Sequence, residues 1–140
     1  MTMKHITIPA EKKSLAKGID PIIALLEDEE ADFALITKIE LAIDEILTNV
    51  ALYAYAPDKG NIDIDYGFDE ESRELVVIIA DEGKPFDPLA KEDPDISLGE
   101  KERKIGGLGI FIVKAVMDEV TYERTEGKNV LTLNKTFPAC

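Results

Sequence analysis

A run of glycines precedes an apolar segment near the end of the chain. Gly106, Gly107 and Gly109 lie at the start of residues 105–120, and glycine has no Cβ to keep a ligand away from the backbone. The free N–H groups at the start of a helix attract anions such as phosphate. Because glycines also begin and end elements for steric reasons, this run alone favours phosphate binding and simple packing equally.

Glu45 and Asn49 form a second candidate pair. On a helical wheel the isoleucines of residues 32–55 share one arc, whereas Glu45 and Asn49 lie one turn apart on the other side. Leu41 and Leu52 share that side, so we expect this face also to be covered or to line a cleft. Glu45 could then act as a general base, and the Asn49 amide oxygen could bind Mg²⁺. A solvated Glu–Asn pair is the alternative.

Asp81 and Gly83 form the third candidate, directly after a strongly apolar run. An aspartate at the end of a strand can accept a hydrogen bond from an exocyclic amine, and a glycine lets a flat ring approach the backbone. Aspartate and glycine are also ordinary turn residues. The pair by itself therefore indicates a site only weakly.

Apolar periodicity predicts the elements that must position these residues. It predicts helices over residues 11–27, 32–55 and from the glycine run to about 117, and strands over 4–8, 61–68, 75–80, 120–124 and 129–136. This order predicts an α+β fold with an antiparallel or mixed sheet and helices on one face. We expect Pro21 to perturb the first helix. The uninterrupted apolar run 75–80 predicts a buried strand.

Composition narrows the classes of function. The 140 residues are 45% hydrophobic and carry a net charge of −13, which predicts one domain and argues against direct nucleic-acid binding. The charge is compatible with a basic protein partner or with solubility alone. A single histidine, His5, excludes a histidine-rich metal site and a Ser/His/Asp triad. Without a signal-peptide pattern or a membrane-length apolar run, we expect a cytoplasmic protein with no membrane association.

In this order and spacing, the three motifs resemble the nucleotide-binding domain of the GHKL ATPase superfamily, which includes gyrase, heat-shock ATPases, histidine kinases and mismatch-repair ATPases. Residues 45–49 match its N box, residues 81–83 its first glycine box and residues 106–109 its second. The resemblance covers essentially the whole chain as one domain, residues 1–140. It implies a two-layer α/β sandwich, a mostly antiparallel mixed sheet and an ATP lid at about residues 84–105.

Within the superfamily, residues 81–88 (DEGKPFDP) and 106–120 (GGLGIFIVKAVMDEV) are most similar to the RsbW-type anti-sigma-factor serine/threonine kinases. This resemblance implies binding of ATP and Mg²⁺ and phosphorylation of a STAS-domain anti-anti-sigma factor. It also implies sequestration of a sigma factor, and a homodimer. A histidine-bearing acceptor helix, typical of histidine kinases, is missing from the sequence.

The resemblance assigns a role to each matching residue. Glu45 would be the base and Asn49 the Mg²⁺ ligand, while Asp81 would bind the adenine amino group above Gly83. The phosphates would lie against the backbone of Gly106, Gly107, Leu108 and Gly109. Lys104, at the basic end of the lid, would contact a phosphate or belong to a generic solvated lid.

Two positions depart from the superfamily pattern. Pro85 stands where many members have a second glycine, and Lys128 and Asn129 follow Gly127 where many have an adenine-site threonine. The nearest threonine is Thr132. Both departures bear on ATP affinity and on the geometry of the adenine site.

Two other functions fit the same motifs. One is a non-catalytic module that binds nucleotide and switches partners, and the other is a stand-alone ATPase domain of a two-component system. The presence of Glu45 favours the enzyme, because a switch needs Asn49 and the glycines but no base. The missing acceptor helix makes the two-component function the least favoured.

Overall fold

The computed structural model describes residues 2–54, 60–87 and 107–138 and contains five β-strands in these ranges. They are Lys4–Pro9 (β1), Asn61–Asp69 (β2), Glu74–Asp81 (β3), Glu119–Thr125 (β4) and Lys128–Thr136 (β5). They form one sheet in the order β1-β2-β3-β5-β4, and every neighbouring pair is antiparallel. The predicted α+β class is confirmed, and the sheet in the described residues is antiparallel throughout rather than mixed.

Three α-helices accompany the sheet in the described residues: Leu15–Asp28 (α1), Phe33–Asn49 (α2) and Gly107–Val116 (α3). The first helix begins later than predicted, because residues Lys12–Ser14 form a 3₁₀ turn before it. Pro21 lies inside α1, which continues past it from Leu15 to Asp28, so the proline does not end the helix. Asp32 caps α2, since its carboxylate accepts the Leu35 N–H at 3.1 Å.

The hydrophobic core lies between the three helices and one face of the sheet. On β3, Leu75, Val77 and Ile79 are buried, whereas Val76 and Ile78 are half-buried. The strand predicted to be buried is therefore fully buried on one face only, because successive side chains of a strand point to opposite faces and the helices cover one of them.

The two-residue period of β3 also decides the position of Asp81. Asp81 shares the core-side face with Ile79 and lies at the end of the strand, where it pairs with Asn129 on β5. Two strand ends thus present polar side chains at one edge of the apolar core.

Close packing brings α1 onto the sheet. A Cβ atom built on Gly18 would lie 2.6 Å from Ile64 Cδ1 and 3.0 Å from Ile8 Cδ1, so alanine at this position would require the ends of these two side chains to shift. The second helix packs against α1 and α3 and so connects the part of the helical layer over β1 with the part near the glycine run. No helix in the described ranges has the length and hydropathy needed to cross a membrane.

Candidate functional site

Asp81 is the most deeply buried acid of the candidate site, with 3% of its surface exposed. Its Oδ1 accepts hydrogen bonds from the Gly83 N–H and the Asn129 Nδ2, both at 2.9 Å. Burial raises the pKa of the Asp81 carboxyl above its ordinary value, and the two hydrogen bonds and the charge of Arg124 oppose that rise. A carboxylate held in this way is a group that functional sites often contain.

Asn129 organises this end of the sheet, and the sequence motifs did not predict its role. Its Nδ2 donates to Asp81 and to the Lys84 carbonyl at 2.9 Å, while its Oδ1 accepts the Phe86 N–H at 3.2 Å and the Tyr122 hydroxyl at 2.5 Å. A side-chain amide offers two donors and two acceptor sites, so all four are used. Asn129 therefore fixes Asp81 and the start of the predicted lid together. The one signal in the sequence was its position two residues after Gly127.

Gly83 is held from both sides of its peptide backbone. Its N–H donates to Asp81, and its carbonyl accepts a hydrogen bond from Arg124 Nη1 at 2.7 Å. Arg124 lies on β4 and also brings a positive charge close to Asp81. Motif spacing gave no sign of Arg124, because its contact joins residues 41 positions apart.

A small cavity connects Asp81 with Asn49. Both residues line it together with Asn129, and its apolar walls come from Ile46, Val50, Ile79, Phe86, Tyr122 and Leu131. Its volume is about 20 Å³, close to the space that one water molecule needs. Phe86 stacks on Tyr53 with ring centroids 5.4 Å apart. A nucleotide base needs a larger space, so its entry requires these walls to move.

Glu45 and Asn49 lie together at the end of α2, as the helical spacing predicted. The Asn49 Nδ2 donates to Glu45 Oε1 at 3.4 Å, Asn49 is 3% exposed and Glu45 is half-buried. Leu41 and Leu52 are 52% and 49% exposed, so neither is covered, but Leu41 lines a cleft between α1 and α2, which is the other arrangement predicted for this face. Asn49 is buried because it lies about 60° from Ile46 on the helical wheel, whereas Leu41 lies about 140° away.

A π-helical turn, Val50–Ala54, follows α2 immediately after Asn49. Such turns occur often at functional sites because they change the direction of side chains on a helix. Residues 50–54 have ordinary helical periodicity, so the sequence predicted continued α-helix here. The predicted end of the helix near residue 55 lies outside the described residues.

The glycine run begins α3, as predicted. The helix starts at Gly107, so Gly107, Leu108 and Gly109 contribute to its first turn. The first N–H groups of a helix have no partner within it and can bind an anion. Gly106, Lys104 and the predicted lid beyond residue 87 lie outside the described residues.

Comparison with known proteins gives the family. A model of the histidine kinase-like ATPase domain matches residues 8–135. The chain belongs to the histidine kinase-like ATPase family. The resemblance predicted from the sequence is therefore confirmed at the level of the family.

Curated relatives carry the name serine-protein kinase RsbW. Those from Bacillus cereus (strain AH187) and Bacillus anthracis are each 35% identical to this chain over 100 residues, which is 69% of the chain. The chain matches 61% of the length of these relatives.

Two solved structures share the fold. The structure of the RsbU and RsbW domains of Rv1364c from Mycobacterium tuberculosis matches 98% of this chain and 32% of its own, with a TM-score of 0.66 and 19% identity. The histidine kinase domain of the blue-light activated kinase EL346 from Erythrobacter litoralis matches 72% of this chain and 44% of its own, with a TM-score of 0.51 and 19% identity. At these identities the likeness concerns the fold.

Proposed function

We propose that this chain is an ATP-dependent serine/threonine protein kinase of the anti-sigma-factor type. The observation that carries the proposal is that Asn49 and Asp81, from two separate motifs, line one cavity, with Glu45 in contact with Asn49. The three residues supply an adenine acceptor, a cation ligand and a base in one place. The similarity to proteins named serine-protein kinase RsbW supports the same activity.

The donor set fits adenine. The Asp81 carboxylate would accept the exocyclic amino group, and the apolar side chains of Ile46, Ile79 and Leu131 would face the ring. Gly83, buried and bonded on both sides, would let the ring approach the backbone. Phe86 would have to leave its position beside Tyr53, which makes opening of the wall a part of nucleotide binding.

The phosphate end of the site would be formed by α2 and α3. The Asn49 amide nitrogen faces Glu45, so the amide oxygen is the atom that would hold Mg²⁺. Bound Mg²⁺ would neutralise charge on the phosphates, and such an ion normally needs only one or two protein ligands in addition to them. The backbone of Gly106, Gly107, Leu108 and Gly109 would bind the phosphates, with Lys104 as an added cation.

Phosphoryl transfer then requires one base. Glu45 would take the proton from a serine or threonine hydroxyl of the partner, whose oxygen forms a bond to the γ-phosphorus. The bond between that phosphorus and the oxygen of the departing ADP breaks. Transfer of this kind depends mainly on positioning and charge stabilisation, so the few groups of this site are sufficient.

The partners that we propose are a STAS-domain anti-anti-sigma factor, as the phosphorylated protein, and a sigma factor that is sequestered. A homodimer, a cytoplasmic location and a single domain with its lid at about residues 84–105 belong to the same proposal. Its support is the resemblance of residues 81–88 and 106–120 to the RsbW-type kinases and the named relatives.

The contact between Glu45 and Asn49 favours one alternative. At 3.4 Å, Glu45 could serve to orient the Asn49 amide rather than to accept a proton. The chain would then bind Mg-ATP and switch partners without transferring phosphate.

Glu45→Gln separates the two functions. Glutamine keeps an oxygen that can accept the Asn49 N–H, but it is not a base. If Glu45 is the base, transfer from labelled ATP to a STAS-domain partner falls by about 10²-fold or more, while calorimetry finds unchanged Mg-ATP affinity.

The matched control is Glu27→Gln, the same carboxylate-to-amide change at an exposed position near the end of α1. It should leave both transfer and ATP affinity unchanged. Unchanged transfer in Glu45→Gln would exclude Glu45 as the base, and absence of transfer in the unmodified protein, despite ATP binding, would favour the switch.

A further inference from the structure

A groove between α1 and α2 lies beside the candidate site and shares no lining residue with the cavity between Asn49 and Asp81. Its volume is about 550 Å³, within the range of ligand-binding clefts. Leu15 and Ile19 of α1 contribute buried apolar side chains, and Leu41 of α2 is 52% exposed. The α2 side extends from Thr37 to Thr48, roughly 16 Å or three helical turns.

The rim of this groove is acidic. Asp20, Glu40 and Asp44 line it, against one lysine, Lys12, and the protein as a whole has a net charge of −13. The exposed apolar side chains of Leu41 and Ala16, between these carboxylates, attract a segment that is apolar on one side and cationic beside it. Nucleic acid and acidic peptides are repelled by the same rim.

One row of side chains on α2 leads from the groove to the nucleotide cavity. Leu41, Glu45 and Asn49 follow one another at intervals of four residues, so they lie on one face of the helix, about 6 Å apart along its axis. Leu41 lines the groove, and Asn49 lines the cavity. Glu45, the proposed base, lies between the two.

We propose that the α1–α2 groove docks a basic amphipathic helix of the protein substrate, from which the adjoining serine or threonine reaches Glu45. Helices bind such grooves through apolar residues at intervals of three and four. This inference rests on the proposed kinase function. It adds the chemistry of the segment that the kinase recognises and the surface that recognises it.

The test uses a synthetic helical peptide as the probe, with leucines at positions i, i+3, i+4 and i+7 and lysines beside them. Its binding to the full chain without nucleotide is measured by fluorescence anisotropy. The double variant Glu40→Lys/Asp44→Lys should raise the Kd by about tenfold or more, because charge complementarity at the rim is reversed. Leu41→Ala should raise the Kd by about 5-fold.

Two matched variants control for general effects. Glu70→Lys/Glu71→Lys makes the same change in net charge at exposed residues outside the groove, and it should change the Kd by less than about 3-fold, as expected for a distant, screened charge. Leu52→Ala removes an equally exposed leucine that does not line the groove, and it should leave binding unchanged.

Several results would overturn the inference. Equal losses in the two charge-reversal pairs would mean diffuse attraction to an acidic protein. Equal binding of a peptide with glutamates in place of the lysines would exclude recognition of charge. Dissociation of an oligomer by Leu41→Ala in sedimentation experiments would make the groove an interface between copies of this chain.

Peptide binding and phosphoryl transfer are measured independently, so failure of the docking proposal can be distinguished from failure of the kinase proposal. If the basic peptide binds specifically and Glu45→Gln still transfers phosphate at the full rate, docking in the groove is supported and Glu45 is excluded as the base. If Glu45→Gln loses transfer and the peptide does not bind specifically, the kinase function is supported and docking in the groove is excluded.

Discussion

Strand β3 has a charged residue at each end, Arg73 directly before it and Asp81 as its last residue, and the two side chains have different surroundings. At the start of the strand, the Arg73 guanidinium donates to the main-chain carbonyls of Glu29 and Pro138, at 3.2 and 3.3 Å, and lies 5.4 Å from the centre of the Phe68 ring. At the other end, the Asp81 carboxylate is buried, and its pKa is raised because desolvation outweighs its hydrogen bonds.

The difference separates a structural residue from a candidate functional one. Arg73 connects the end of α1, the β2–β3 turn and the C-terminal segment, and its backbone N–H and carbonyl are both bonded as well. Asp81 stays in a position that disfavours its charge, beside a cavity rather than inside a closed network. A buried carboxylate beside a cavity, with a pKa shifted by desolvation, is a candidate functional group.

Asp81→Asn should produce the largest effect on function at the cavity end. The amide keeps an acceptor for the Gly83 and Asn129 N–H groups, but it turns the second oxygen into a donor that repels the adenine amino group. Loss of a hydrogen bond to a charged group, about 1.5–3 kcal/mol, weakens ATP binding by roughly 10- to 150-fold in calorimetry. The melting temperature should not fall.

If Asp81→Asn unfolded the protein or left ATP affinity intact, the assignment of Asp81 as a functional rather than a structural residue would be contradicted. Asn49→Ala provides a second measurement at the phosphate end and should also weaken Mg-ATP binding. Undiminished affinity in both variants would exclude the site as proposed.

Arg73→Ala should affect stability and leave ATP binding unchanged. It removes two hydrogen bonds to carbonyls and a contact with an aromatic ring, so we expect a loss of about 2 kcal/mol in the free energy of unfolding. Urea unfolding measures this loss, and calorimetry checks ATP affinity. An ATP affinity lowered tenfold in a folded variant would remove the distinction between the two ends of β3.

A glycine at the same position separates the contacts of Arg73 from its backbone conformation. Arg73 has φ = 59°, a left-handed conformation that glycine adopts without the cost paid by other residues. Arg73→Gly should therefore be more stable than Arg73→Ala by about 1 kcal/mol. Equal stability of the two variants would mean that the turn relaxes when the side chain is lost.

The smallest effect is in the pH dependence of stability. Because the folded-state pKa of Asp81 is raised, ionisation of Asp81 disfavours the fold progressively as the pH rises from its unfolded pKa through the folded one. Asp81→Asn removes this penalty, so the variant should gain stability over the unmodified protein across that window, and the gain should then stay constant.

Asp118 supplies the opposite case for the same unfolding series. The Thr136 N–H is the largest of the influences that lower the pKa of Asp118, and Lys135 contributes further. Its stabilising effect is present above the unfolded pKa and is lost as the pH falls through the folded one. Removal of a group like Asp118 costs stability as the pH rises. If Asp81→Asn lost stability relative to the unmodified protein as the pH rose, the raised pKa of Asp81 would be contradicted.

Much of this architecture could be predicted from the sequence. Periodicity predicted the strands and helices and the α+β class, because side chains repeat every two residues in a strand and every 3.6 in a helix. The pairing of Glu45 with Asn49 followed from their spacing on one helix. The start of a helix at the glycine run was also predicted by local chemistry.

The tertiary structure decided which side chains meet across the sheet. Asn129 bonds to Asp81 because β5 lies beside β3 in a register that spans 48 residues of sequence, and spacing along one strand carries no information about its neighbour. For the same reason Arg124 at Gly83 and Phe86 in the cavity wall were found only in the folded chain. The sequence determined which residues could do the chemistry, and non-local strand register and helix packing decided how they are held.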